Sequence, residues 1–314
     1  MHDICDIGEP RGALSPVAIR TAFLDACWLD VDTPKPGNVS VQSAGHGMSA
    51  VQFISSAHAA VDALVARGAP VGARILDAVT RTHEAVGCNT NLGIVLLVAP
   101  LAAALDDAAP PPTADRWRAA TAHVLARLSL DDARLAYRAI ALANPGGLGD
   151  APEQSVHAAP SIGLRDAMTL AAARDSIARQ YANGFADVFD TGLAAVRDAP
   201  SNTLSAVTLH VFLTFLGGWP DSHIVRKHGE TLAQSVTLAA REHHMQWLRA
   251  FPTGQHKTAS ASLDAWDAEL KAHAINPGTS ADLTVATLFV ARCLEAARHA
   301  SGNDANATGT EPVS

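Results

Sequence analysis

Residues 15–30 read SPVAIRTAFLDACWLD, and the spacing of this stretch sets the fold class. Ser15 suits a helix N-cap, and Pro16 fits the first helical position, where a missing N–H costs nothing. Ile19, Ala22, Phe23, Ala26 and Cys27 then fall on one face, and TPKPG ends the helix near Thr33. Working outward, Ser49 and Gln52 make a capping box, with Met48 and Phe53 placed as a hydrophobic staple, and that helix is predicted to run to Gly68. Further helices are predicted over 71–86, 91–105, 114–127, 130–143, 162–182, 185–198, 202–217, 229–249, 262–274 and 280–299. Alanine dominates, and β-branched residues seldom alternate with polar ones. The expectation is therefore an all-α, single multi-helix domain over residues 15–299. An N-terminal extension (1–14) and a disordered tail (300–314) flank it. Residues 106–115 read as a solvated connector and 144–160 as a longer loop.

The 314 residues are 48% hydrophobic and 17% charged, enough apolar content for a real core. The formal charge of −8, with no run of Lys or Arg, argues against nucleic acid as a partner. Cys5, Cys27, Cys88 and Cys293 form no CxxC pair, so neither a zinc site nor a disulfide framework is expected. The opening MHDICDIGEPRG lacks the basic end and apolar run of a signal peptide. The apolar stretch Leu92–Leu105 is too short for a membrane span and contains Pro100. A cytoplasmic protein with no membrane partner is expected.

Polar side chains gather in five Gly/Pro-marked turns. The first, DTPKPGNVS (32–40) with AGHGMS (44–49), holds Lys35 stiffly between two prolines. The second, GCNTNLG (87–93), sets Asn89, Thr90 and Asn91 before an apolar helix, as caps or as contacts to an anion or sugar. In the third, ARQYANGFADVFD (178–190), Arg179, Tyr181 and Asp187 share a face only if the helix bends at Asn183–Gly184. The fourth, WPDSHIVRKHGE (219–230), packs Asp221, His223, Arg226, Lys227 and His228 closely, a pattern suited to phosphate or to a solvated helix start. The fifth, INPGTSADL (275–283), offers Ser280 as an N-cap and Asp282 in the first turn. There is no Walker A loop, GxGxxG, HExxH or GxSxG.

The order of these turns resembles the triphosphoribosyl-dephospho-coenzyme A synthase family, whose characterised members make a prosthetic-group precursor. The resemblance rests on TPKPGNVS, GCNTNLGIVLLVAPL, ARQYANGF, PDSHIVRKHG and NPGTSADLTVATLF, and spans about residues 15–299. The chain departs from the family pattern in three places. Gly45-His46-Gly47-Met48 replaces an approximate H-x-D-M, NTNLG replaces NTHKG, and Arg226-Lys227-His228-Gly229 replaces a His-Arg-Gly-Gly type of run.

The resemblance implies transfer of triphosphoribose from ATP to the 2′-hydroxyl of 3′-dephospho-coenzyme A, with release of adenine. The transition state of such a reaction has oxocarbenium character and needs leaving-group protonation. On that footing Lys35, Arg226 and Lys227 are expected near phosphates, and Asn89, Thr90 and Asn91 against ribose or phosphate. Asp221 and Asp282 are expected to hold Mg²⁺. His46 is a candidate for proton transfer, and Asp187 for activating the acceptor hydroxyl. Two alternatives stay open here: a related ribosyl or phosphoribosyl transferase acting on another cofactor precursor, such as a pterin, and a non-catalytic nucleotide-binding helical protein. Assembly into a homo-oligomer is also left open.

Overall fold

The computed structural model describes residues 14–106, 112–144, 158–253 and 256–307. Among them it contains fourteen α-helices, one π-helical turn and no strand.

Helix α1 (Pro16–Asp32) starts where local chemistry dictates, with Ser15 Oγ accepting the Ala18 N–H at 3.1 Å and Thr33 as the C-cap. All five of its predicted face residues are buried. Helix α2 (Ala50–Leu64) opens with the Ser49 N–H donating to Gln52 Oε1 at 2.9 Å. It ends at Leu64 instead of Gly68, because Gly68 adopts φ +72° in the following turn and its N–H reaches Asp106 at 2.9 Å. Helices α3 (Val71–Val86), α4 (Leu92–Ala103), α5 (Ala114–Ala126) and α6 (Leu130–Ala143) follow close to expectation.

The predicted helix 162–182 is two: α7 (Leu164–Ala171) and α8 (Ser176–Asn183). Asp175 breaks it, since its Oδ1 accepts the N–H groups of Ile177 (2.9 Å) and Ala178 (3.1 Å) and so caps a new start. The chain bends at Gly184 and Phe185, both at positive φ, into a π turn (Asp187–Gly192) and the short α9 (Leu193–Arg197). Then come α10 (Leu204–Gly218), a separate α11 (Ser222–His228), and α12 (Glu230–Thr253). Helix α13 (His256–Ala272) begins earlier than predicted, and α14 (Gly278–Ala307) runs on into the segment expected to be a tail. Residues 1–13 and 308–314, half of the 106–115 connector (107–111) and most of the 144–160 connector (145–157) lie outside the described residues.

Two apolar clusters meet along α14. In the larger, Phe23 from α1 and Trp117 from α5 both set their rings edge-on to Phe289, at 6.4 and 5.7 Å between centroids. The smaller gathers Phe212, Leu216, Trp247 and Trp266 from α10, α12 and α13. Burying such a side chain is worth about 1.5–3 kcal/mol each, so the clusters hold the framework while the turns between helices are left to carry polar groups.

Candidate active site

A cavity of about 730 Å³ opens where the turns converge. It is lined by Asn38 and His46 from the first turn, Asn89 and Thr90 from the second, and Ala178 at the edge of the third. The fourth turn adds His223, Arg226 and Lys227, and the fifth adds Asn276, Gly278 and Asp282. The walls differ. Phe53, Ile140, Leu142, Met168 and Leu170 give an apolar side, whereas Arg174, Arg226 and Lys227 give a cationic one. The apolar side, from α2, α6 and α7, and the cation Arg174 were not anticipated from sequence. Their helical spacing marks core or solvated faces equally well.

Asp221 is not at the cavity surface. It is buried and accepts four hydrogen bonds: on Oδ1 from the His223 and Ile224 N–H groups (2.9 and 3.2 Å), and on Oδ2 from the Ser280 N–H and Oγ–H (2.7 and 2.8 Å). It caps α11 and ties it to the start of α14. That replaces the expected metal role, because its lone pairs are already spent. Burial raises its carboxyl above the ordinary range, and the bonds from Ser280, Ile224 and His223 oppose the rise.

Lys35 also departs from expectation. It is 1% exposed and does not line the cavity. Its Nζ sits 3.1 Å from Asp30 Oδ1, donates to the Asp30 and Thr33 carbonyls, and lies 6.0 Å from the Phe212 ring centre. With its donors turned inward, it cannot meet a phosphate in the cavity. Asn91 is likewise turned away, its Nδ2 donating to Thr82 Oγ1 at 3.1 Å. Asp187 lies outside the cavity lining. Its Oδ2 accepts from Arg179 Nε at 2.8 Å and from Gln180 Nε2, so it closes the bend at Gly184 and is not placed to activate an acceptor. Tyr181, from the same turn, is buried and donates to the Leu96 carbonyl at 2.7 Å.

The remaining candidates face the cavity with part of their capacity used. Asn89 Oδ1 accepts the Leu92 N–H at 3.1 Å, so it caps α4 from the cavity side. Thr90 Oγ1 donates to Ser56 Oγ at 2.5 Å. His46 stands at φ +57° in a tight turn with Gly47 at +74°, a pair of left-handed residues that suits glycine where the family pattern has an acid. Its Nε2–H donates to the Gly37 carbonyl at 2.8 Å.

Arg226 is anchored by Asp175, with Nη1 to Oδ2 at 2.7 Å, so the residue that breaks the predicted helix also orients the cationic wall. Among the described residues, no group of three His, Cys, Asp or Glu side chains is placed to hold a metal. With Asp221 saturated and Asp175 committed to Arg226, Asp282 is the one expected ligand left with open carboxylate oxygens, too few for a Mg²⁺ ion held by the protein itself.

The sequence matches the ATP:dephospho-CoA triphosphoribosyl transferase family over residues 16–301. No curated protein matches it. Among the solved structures that do is the crystal structure of a protein from Archaeoglobus fulgidus assigned as a triphosphoribosyl-dephospho-coA synthase. It superposes with a TM-score of 0.60 at 24% identity, over 76% of this chain and 97% of that one, a likeness of fold. No helix among the described residues is long and apolar enough to cross a membrane.

Proposed function

We propose that this cavity is where the chain, which belongs to the ATP:dephospho-CoA triphosphoribosyl transferase family and catalyses that transfer, holds both of its substrates. The observation that carries the assignment is the pairing of a cationic wall with an apolar one in a single cavity built from the family's motif turns. Arg226, Lys227 and Arg174 are the side chains suited to the triphosphate. Arg226 offers paired donors in a fixed plane and Lys227 a mobile point charge. The apolar side, between Phe53 and Leu170, suits the adenine ring and the less polar part of the acceptor. Asn38 and Asn276, joined by an Nδ2 to Oδ1 bond of 3.0 Å, offer their remaining amide groups to ribose hydroxyls.

In this reading magnesium arrives on the triphosphate with its own waters, and the protein contributes cations. The cytoplasm is the compartment that supplies both ATP and a coenzyme A precursor, and we place the reaction there. The test is to incubate the protein with ATP and dephospho-CoA and to follow the products by chromatography and mass spectrometry. Free adenine in step with an acceptor heavier by triphosphoribose is expected. ADP or pyrophosphate without adenine would overturn the reading.

A further inference from the structure

We propose that Asp282 and His223 are the proton-transfer pair of this reaction: the Asp282 carboxyl protonates the departing adenine, and His223 Nε2 takes the proton of the acceptor hydroxyl. The inference rests on the functional reading above and adds the residues that carry the chemistry.

Asp282 is set apart from the carboxylates around it. Asp221 accepts four hydrogen bonds and Asp175 three, whereas the Asp282 carboxyl has no hydrogen-bond partner among the described residues. It lines the cavity and lies against the first turn of α4, where residue 93 has no side chain. A β-carbon on Gly93 would stand 2.0 Å from Asp282 Oδ2, so the glycine is what admits the carboxyl to this place. His223 lines the same cavity, and its Nε2 is buried without a partner among the described residues. Its ring packs on Gly278, with Nδ1 3.3 Å from where a β-carbon would sit. Gly278 is one turn before Asp282 on the same face of α14.

The surroundings push the two groups in opposite directions. Burial, then the negative charges of Asp30 and Asp221, raise the Asp282 carboxyl well above the usual range, with Arg226 opposing and Asp175 adding. Burial, then Lys227 and Arg226, with smaller contributions from His46 and His228, lower the His223 imidazole to about 3. The carboxyl is thus pushed toward keeping its proton and the imidazole toward the free base, the opposite directions that an acid and a base in one cavity need. A triphosphate on Arg226 and Lys227 would offset the part of the His223 shift that comes from those two cations, leaving the part due to burial, so the base strengthens as substrate binds.

The step balances as follows. The bond from ribose C1′ to adenine breaks, its electron pair goes to the base, and the Asp282 proton goes to an adenine ring nitrogen. The acceptor oxygen bonds to C1′ and its proton passes to Nε2. Solvent returns the proton from His223 to Asp282 after product release.

The test compares the parent with Asp282→Asn and His223→Gln, with thermal unfolding measured alongside. Asp282→Asn is expected to lower kcat by about 100-fold to 10,000-fold, with the Kd for ATP within about threefold of the parent. The alkaline limb of the parent's pH–rate profile should vanish. The loss should shrink with the triphosphate of 6-chloropurine riboside, whose base departs without needing a proton. His223→Gln should lower kcat and remove the acidic limb. Turnover within about threefold of the parent in both variants, or a loss confined to ATP affinity, would overturn the pair while leaving the functional reading intact. A parent that releases no adenine would overturn both. If Asp282→Asn does not fold, a parent profile with no alkaline limb would still overturn the acid assignment.

Discussion

The turns at 33–43 and 219–229 look alike in sequence, each a lysine-bearing segment beside proline and glycine, yet their cations face opposite ways. In the first, Lys35 turns into the core onto Asp30. The Gly37 N–H meets Asp267 at 2.8 Å, and Lys271 Nζ reaches Ser43 Oγ at 2.6 Å, so the turn fastens α1 to α13. Gly37 itself has φ +76°, and a β-carbon there would stand 2.9 Å from the Ile275 carbonyl. In the second, Asp221 pins the segment to Ser280 while His223, Arg226 and Lys227 line the cavity. A cation enclosed by a buried carboxylate and carbonyls becomes part of the framework, whereas Arg226, held by the half-buried Asp175 through Nη1 with its Nε unpaired, keeps donors for a ligand. Substitution should therefore separate the cations of the two turns, Lys35 setting stability and Arg226 setting binding.

The largest effect is expected at the first turn. Lys35→Met strands Asp30 as an unpaired buried acid and should cost about 3–5 kcal/mol in chemical denaturation. The Asp30→Leu/Lys35→Met double variant should recover most of that loss, since the pair's desolvation cost disappears with it. Next, Asp221→Ala removes a cap and leaves the Ser280 donors without a partner, for an expected loss of about 2–3 kcal/mol. If Asp221 instead acted on a metal, the loss would appear in turnover with stability unchanged. Arg226→Gln should weaken ATP by about 1.5–3 kcal/mol in titration calorimetry, with little change in unfolding.

The smallest effect belongs to a histidine pair that joins α10 to α12. His244 Nε2 and His210 Nδ1 are 2.8 Å apart, and one must donate while the other accepts. Burial lowers both imidazoles, that of His244 to about 4 with His210 adding to the shift, and Asp198 opposes the shift at His210. Their folded pKa values lie below the unfolded one, so the neutral pair contributes stability above about pH 6.5 that is lost as pH falls toward 4. Allowing for solvent screening, the expected loss is on the order of 1 kcal/mol, read as the difference between parent and His244→Gln unfolding across that window.

Helix starts were legible because they are local: Ser15 with Pro16, and Ser49 with Gln52, satisfy their own backbone within a few residues. The break at Asp175 was local as well, an N-cap hidden inside an otherwise helical period. The site was legible as a set of polar turns, but the direction of each side chain was not. Asp221 is decided by Ser280, 59 residues away in sequence, and Arg226 by Asp175, 51 away. Lys35 is the instructive exception. Its partner Asp30 lies five residues upstream, but the pair is made internal by packing from elsewhere in the chain, Phe212 of α10 among it.

The most direct measurement is ATP affinity by titration calorimetry for Arg226→Gln and for the Asp30→Leu/Lys35→Met double variant, side by side with the parent. The account predicts a weakening of about 10-fold to 150-fold for Arg226→Gln, equivalent to a lost charged hydrogen bond. For the double variant it predicts an affinity within about threefold of the parent. Parent-like binding by Arg226→Gln, together with a large loss in the double variant, would place the triphosphate at the first turn and contradict the division of roles between the two.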